Sequence, residues 1–352
     1  MRFDEEKDRF IKSLKYSSED RKKITQITEG QSQNLEWYSQ RIGSLTASNF
    51  GPILRFMSVS GRKPDGLIRR IQNYRQRGMT CVPGTYVPAL KWGLECESVA
   101  CKSYEAIITG QHKQVKVMPS GLCVCDSDLY LRASPDAIVS CVCHQYHWLL
   151  EIKCPWSVRN IDPADAVDSG ATKYVRKTDG VYSLIPGAAC GYYEQVQGTM
   201  AVCGLSRCDF VIWTMRGVLV IPVEFDSVFW DDAKCQLRKF CECYVVTEIL
   251  TKHVWRTLPL FDEDDIEPVA VSVDDSADLD FVQEFDDDIV LDDDRHEEYC
   301  LSSGLQEREN TSSKETLSCD DDDANYCSAQ QFFFDFNDFE DEETVSVTSL
   351  DS

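Results

Sequence analysis

Two short apolar runs lie close together near the middle of the chain, Ala133 to Val139 and Trp148 to Pro155. Both are rich in Ile, Val and Leu, and Pro135-Asp136 marks a turn at the first, so they predict neighbouring strands. In the second run Glu151 and Lys153 flank Ile152. A strand has a side-chain period of two, which sets Glu151 and Lys153 on one face of a sheet edge beside Asp136 and turns Ile152 into the core. Upstream, Val87 to Ile108 has a helical period with Leu90, Leu94, Val99 and Tyr104 as core contacts, and Glu97 and Ala100 fall within that helix. Val115 to Met118 and the stretch up to Tyr130-Leu131-Arg132 read as two short strands leading to Asp136, with Asp126 and Asp128 between them.

The same reasoning extends along the chain. Tyr192 to Val202 predicts a helix on which Gln195 shares a face with Tyr192 and with Thr199. Asp209 to Thr214 and Val218 to Val223 predict a hairpin across Arg216-Gly217, and a helix from about Trp230 to Leu250 closes the domain. Ile161 to Ile185 is polar and punctuated by Gly, the pattern of a loop or flap around a site. Residues 1–34 are polar and helical, a docking element in which Ser17-Ser18-Glu19-Asp20 caps the helix starting at Arg21. After Phe261 the periodicity fails, and runs such as Asp320 to Asp323 cannot bury enough apolar surface to offset ordering. Residues 262–352 therefore read as a disordered tail, interrupted by Ile289-Val290-Leu291 and the acidic-aromatic Phe332 to Phe339.

Charge changes the picture only when it is located. The formal net charge is −24, which by itself argues against a nucleic-acid partner. Yet 32 of the 60 Asp and Glu lie from Asp262 onward, against 3 of the 36 Lys and Arg, so residues 1–261 hold 28 acids and 33 bases. A mildly basic body with a detached acidic tail is compatible with a phosphate-backbone ligand. The charged start Met1-Arg2-Phe3-Asp4-Glu5 is no secretory signal and no apolar run spans a bilayer, which excludes a membrane protein and predicts an intracellular one, nuclear or cytoplasmic. The 17 Cys then read as reduced thiols, an odd number that fits a full disulfide framework poorly.

Four groups of residues carry candidate chemistry. Asp136, Glu151 and Lys153 could hold a hard divalent cation through oxygen ligands while the lysine steadies a water or an oxyanion; an ordinary surface Glu–Lys pair is the plainer alternative. Glu97 is either a solvated helix residue or a carboxylate aimed at the same pair. Arg41 before Gly43, then Thr46 and Ser48 opening a helix at Asn49-Phe50, make a small anion pocket or an ordinary cap. Gly61 to Gly84 adds Arg62, Lys63, Arg69, Arg70, Arg75 and Arg77, either a solvated helix and loop or a basic rim for a duplex or strand. Cys123-Val124-Cys125 and Cys141-Val142-Cys143-His144, helped by His147, could set four thiolates on one face of a hairpin around zinc, although the Cys-x-x-Cys knuckle spacing is absent and buried strand thiols would look the same.

Five ordered motifs join these groups: Arg41 to Ser48, Trp92 to Ala100 with Glu97, Ser134-Pro135-Asp136, Glu151-Ile152-Lys153-Cys154-Pro155, and Tyr192 to Gln197 with Gln195. Together they resemble the lambda exonuclease / YqaJ viral recombinase family, a branch of the PD-(D/E)xK nuclease superfamily. The resemblance runs from about Trp37 to Trp213. It implies an α/β (α+β) fold with a restriction-endonuclease-like core, a mixed central β-sheet flanked by helices, here followed by the acidic tail. The expected division is a helical extension over 1–34, a nuclease domain over 35–261 and the disordered tail over 262–352.

On matching positions the resemblance implies that Asp136 and Glu151 bind metal with the carbonyl of Ile152, that Glu97 helps hold a second ion, and that Lys153 activates the attacking water. Gln195 would order the same site, and Arg41 with Ser48 would hold a 5′-phosphate, as in the processive bacteriophage enzymes. Either Asp126 or Asp128 would be a supporting acid. The stretch from Pro155 to Tyr192 is longer than in the phage enzyme, the tail has no counterpart there, and Tyr193 to Thr214 looks more like eukaryotic or eukaryotic-virus members. The expected function is a Mg2+- or Mn2+-dependent deoxyribonuclease with two ions, trimming duplex DNA ends 5′→3′ in recombination or repair. The rival readings are a DNA-end-binding recombination scaffold working through its tail, whose acidic-aromatic segments would dock on a protein partner, and a zinc-dependent interaction module.

Overall fold

A computed structural model describes residues 3–59, 61–73 and 88–261. Arg75, Arg77 and the whole acidic tail from Asp262, and with them the readings placed there, lie outside the described residues, as does the side chain of Leu90.

The chain opens with α1 (Phe3–Ser13) and α2 (Ser18–Ile27), followed by α3 (Leu35–Arg41), β1 (Leu45–Thr46), α4 (Ala47–Met57), α5 (Asp65–Ile71) and the long α6 (Pro88–Gln111). Ser17 caps α2 in a capping box with Asp20, which satisfies two backbone donors reciprocally. The strands β2 (Lys116–Pro119), β3 (Cys123–Val124), β4 (Leu131–Ala133), β5 (Ala137–Ser140) and β6 (Trp148–Lys153) come next. Then follow α7 (Pro163–Asp168), the β7 (Val175–Thr178) and β8 (Val181–Leu184) pair, α8 (Tyr192–Cys203), β9 (Arg207–Thr214), β10 (Gly217–Glu224), α9 (Ser227–Phe240) and α10 (Val246–Thr251).

A five-stranded mixed sheet in the order β10-β9-β6-β5-β2 forms the centre. Only β6 and β9 run parallel; the remaining pairs are antiparallel. A second sheet, β1-β4-β3, carries the parallel β1–β4 pair. The expected mixed sheet flanked by helices is the architecture found, but β6 is its middle strand and not an edge. The run Trp148 to Ile152 is buried on both faces and pairs with β5 on one side and β9 on the other, which an apolar run without polar alternation favours.

Other elements differ from the sequence reading in instructive ways. Where two strands were expected before Asp136 there are three, and β2 pairs with β5 while β3 pairs with β4. The 161–185 stretch is not a bare loop. Asp162 caps α7 with Pro163 at its first position, and Asp179-Gly180, both at positive φ, turn β7 into β8 as an Asp-Gly hairpin does. The terminal helix is broken by a π turn over Cys241–Val245, and Phe240 just before it and Tyr244 within it both lie against Phe56, at 5.6 and 5.3 Å between ring centroids. On α6 the buried face is Ala89, Cys96, Ala100, Tyr104 and Ile108, and Val99, expected in the core, is 49% exposed. Four-residue steps from Cys96 keep that face in register with the sheet, and Val99 lies off it.

The N-terminal segment docks on the second sheet through backbone-directed bonds. Leu122 N–H donates to Thr28 Oγ1 at 2.8 Å, and Thr25 Oγ1 donates to the Leu122 carbonyl at 3.1 Å. Gln31 then donates through Nε2 to the carbonyls of Ser120 and Pro135, each at 2.9 Å, and so holds the turn that precedes Asp136. Among the described residues no helix is long and apolar enough to cross a membrane.

Candidate active site

The C-terminal half of β6 and the turn into β5 create one cleft of about 460 Å³. Asp136, Glu151, Ile152, Lys153, Glu97 and Gln195 all line it, and Arg41, Ser48 and Arg70 stand at the same opening. Strand periodicity sets Glu151 and Lys153 side by side, and Lys153 Nζ donates to Glu151 Oε1 at 2.8 Å. Ile152 is buried among Ala100, Tyr104 and Val211, while its backbone N–H donates to Asp136 Oδ2 at 2.6 Å. The Lys153 ammonium also lies 4.8 Å from the centre of the Tyr192 ring.

Helix α8 supplies Gln195, whose Nε2 donates to Glu151 Oε1 at 2.7 Å. One carboxylate oxygen of Glu151 thus has two donors. The other, Oε2, is buried and has no hydrogen-bond partner in the protein, although Glu151 is only 3% exposed. A buried, unpartnered carboxylate oxygen in a cleft lined by two further acids, Glu97 and Asp136, is a donor set compatible with a hard cation, which takes oxygen ligands.

Burial holds the Asp136 carboxyl well above the usual carboxylate range, and the charges of Glu151 and Glu97 push it further; Lys153 and the Ile152 amide oppose them. A folded-state pKa raised above the unfolded value of 3.8 leaves its stabilising contribution intact below that value. The contribution is lost as pH rises through the folded-state pKa. The melting temperature of the cation-free protein is therefore expected to fall as pH rises above the ordinary carboxylate range, and added Mg2+ to restore most of it at the upper end. Asp136→Asn should flatten the slope. A cation-free protein whose melting temperature ignores both pH and Mg2+ would contradict this electrostatic picture.

The second cluster lies at the α3–α4 junction. The Arg41 guanidinium stacks on Trp37, 3.8 Å from the ring centre, and Nη2 donates to Ser48 Oγ at 3.3 Å. Thr46 is the N-cap of α4, which begins at Ala47, two residues earlier than expected, and Asn49 Nδ2 donates to Thr46 Oγ1 at 3.0 Å. Asn49 Oδ1 is buried without a partner. Arg70 of the expected basic rim joins Arg41, Ser44 and Thr46 around a smaller depression here. A planar fork, hydroxyls and helix N-terminal amides suit a phosphate.

Several residues that shape the site escaped the sequence reading. Arg132 is 1% exposed, donates through Nη1 to both the carbonyl oxygen and Oε1 of Gln40 at the end of α3, and reaches Tyr16 Oη at 3.2 Å, so it fixes the helix that presents Arg41. Burial lowers its pKa. Beneath β6, Trp148 Nε1 donates to Tyr104 Oη at 2.9 Å, and that hydroxyl donates to the buried Asp209 at 2.6 Å. Burial and Asp209 push the Tyr104 phenol upward. A strand-embedded Asp209 and a lone Arg132 were the available signals, since buried charges are rare unless paired.

Neither Asp126 nor Asp128 lines the cleft. Asp128 accepts from Ser127 and Tyr130 and pairs with Lys234 of α9 at 2.7 Å, whereas Asp126 pairs with Arg21 of α2. The β3–β4 turn carries both away because β3 belongs to the second sheet. The two Cys-x-Cys pairs are likewise apart. Cys123 and Cys125 pack on the second sheet's side, where the hydrogen bond with Cys203 is the main cause that lowers the Cys123 thiol to about 7, and Cys141 packs against α6.

Residues 36–206 match the family model of the YqaJ-like viral recombinase domain. No curated protein matches the chain. Among solved structures, an alkaline exonuclease (LHK-Exo) from Laribacter hongkongensis is similar at 22% identity and a TM-score of 0.43, over 63% of this chain and 98% of that one. A phage-related exonuclease from Haemophilus somnus is similar at 12% identity and a TM-score of 0.38, over 59% and 96%. A SOX–DNA complex is similar at 13% identity and 0.39, over 69% and 72%.

Proposed function

The chain belongs to the YqaJ-like viral recombinase family through residues 36–206, and from that premise we propose that it is a divalent-metal-dependent deoxyribonuclease acting 5′→3′ on duplex ends. The observation that carries the reading is Glu151, with one oxygen held by Lys153 and Gln195 and the other buried with no protein partner. In this reading Asp136, Glu151 and the Ile152 carbonyl hold Mg2+ or Mn2+, and Glu97 helps hold a second ion. When bound, such a cation polarises a phosphoryl oxygen and makes water more acidic.

The chain's own groups do the rest. Asp136 accepts from the Ile152 amide through Oδ2 and lines the cleft, so Oδ1 is the oxygen it would offer to the cation. Lys153 stands one residue beyond, within reach of the same volume, and orients the attacking water. Gln195 keeps Glu151 from rotating. Arg41 and Ser48 receive the terminal 5′-phosphate, which sets the polarity of digestion, and Arg70 adds positive charge beside them. Residues 1–34 serve as a docking extension of a nuclease domain reaching to residue 261, and the acidic-aromatic tail contacts a protein partner.

Incubating the protein with Mg2+ and end-labelled linear duplexes tests this directly. Duplexes bearing a 5′-phosphate should be degraded from that end, leaving 5′-phosphorylated products, and omission of the cation should stop the reaction. Arg41→Ala is expected to reduce the preference for phosphorylated ends by about tenfold to a hundredfold, the worth of one charge-assisted phosphate contact, and to leave cutting of unphosphorylated ends nearly unchanged. Equal preference in both proteins would refute the role given to Arg41.

A further inference from the structure

Past the far end of α6 from Glu97, His112 and the turn after β5 bring together a second set of side chains. We propose that His112, Cys141, Cys143 and His144 form a structural Zn2+ site. The ligand atoms of His112, Cys141 and Cys143 lie within 4.8 Å of one another. Cys141 Sγ is 3.2 Å from His144 Nδ1 and 3.8 Å from His112 Nδ1. A tetrahedral ion with Zn–S near 2.3 Å and Zn–N near 2.0 Å places its sulfur and nitrogen ligands about 3.6 Å apart, so two edges of the tetrahedron are already formed. Bringing the three-residue set of His112, Cys141 and Cys143 to ligand spacing takes side-chain movement of about 1 Å, for which the exposed Cys143 has room, and His144, already against Cys141, turns in as the fourth ligand.

The surroundings suit a thiolate site. Lys113 N–H donates to Cys143 Sγ at 3.1 Å, and Val142 N–H donates to the Lys113 carbonyl at 3.1 Å, so backbone bonds already join the two segments. The two imidazoles face each other at 4.9 Å and rest on Trp148, at 5.7 and 6.2 Å, which gives the site an aromatic wall. Two thiolates with two imidazoles and no open position select zinc over the hard cations of the cleft, and mark a structural ion, not a catalytic one. Binding releases one proton from each thiol to solvent and changes no oxidation state. His147, the other histidine of this segment, is exposed and borders a separate depression with Gln145 and Tyr146.

The ion would tie the end of α6, which carries Glu97, to the turn leading into β6, which carries Glu151. Metal analysis of the full chain, purified without chelator, should find about one zinc per molecule, and Co2+ in its place should give the thiolate charge-transfer and strong d–d bands of a tetrahedral site. Cys143→Ser alters an exposed residue; it should keep the native circular dichroism yet lose stoichiometric zinc and the cobalt bands. Glu151→Ala should keep both, which separates this site from the carboxylate cleft. A wild-type chain that holds no zinc and takes up no Co2+, a Cys141–Cys143 disulfide in the freshly purified protein, or zinc retained in Cys143→Ser would overturn the proposal.

Discussion

Glu151→Ala is expected to lower DNA cleavage by about a thousandfold or more while the protein stays folded, because on the proposed reading the change removes a cation ligand together with the acceptor that organises two neighbours. Lys153 Nζ and Gln195 Nε2 both donate to Glu151 Oε1, so the truncation also releases the ammonium and the amide from their positions. Lys153→Ala should cost between about a hundredfold and ten-thousandfold, the range for one positioned proton-handling group. Stability moves the other way. Glu151 is one of the charges that hold the Asp136 carboxyl above its ordinary range, so without a cation the Ala variant should melt no lower than the wild type at neutral pH. Loss of activity with retained melting identifies a functional carboxylate; equal loss of both would identify a structural one. The rival scaffold reading makes the opposite forecast, that Glu151→Ala leaves function intact while removal of residues 262–352 abolishes it. Full cleavage by both variants would sink the assignment of the site.

Gly51→Ala is expected to destabilise the fold by about 3 kcal/mol and to lower activity with it. A Cβ at Gly51 would stand 2.6 Å from the Cα of Gly191, a contact between two backbones in which neither side can rotate away. Gly191 has a φ of +71° and caps α8, so the helix that carries Gln195 is set against α4, which carries Ser48, by the absence of two side chains. Pushing α8 outward would withdraw Gln195 from Glu151. Denaturant titration with the far-UV signal reads the stability, and a midpoint unchanged from wild type would show that α4 and α8 separate at little cost.

The local part of the site was legible because strand and helix periods are properties of the backbone. Glu151 and Lys153 face one way whatever surrounds them, Asp136 follows a Pro turn, and Gln195 follows Tyr192 on one face of a helix. The Asp179-Gly180 hairpin carried a strong local signal too, but the polarity of 161–185 reads as a loop or flap and the hairpin was missed. Val99 misled for a related reason. An apolar residue on a helix belongs to the core only if its face does, and the face of α6 is set by the sheet under Ala100 and Tyr104.

The amino-acid sequence alone determined the identity and spacing of the groups: two acids and a lysine around β5 and β6, an acid one long helix away, an arginine with two hydroxyls, and paired thiols. Which of them meet was decided only in three dimensions. Parallel pairing with β9, more than fifty residues downstream, made β6 the centre of the sheet and buried Glu151; the second sheet carried Asp126 and Asp128 away; and the end of α6 brought His112 to Cys141. Spacing within an element follows from bond geometry, whereas contact between elements follows from how their apolar faces pack, and that depends on all of the faces at once.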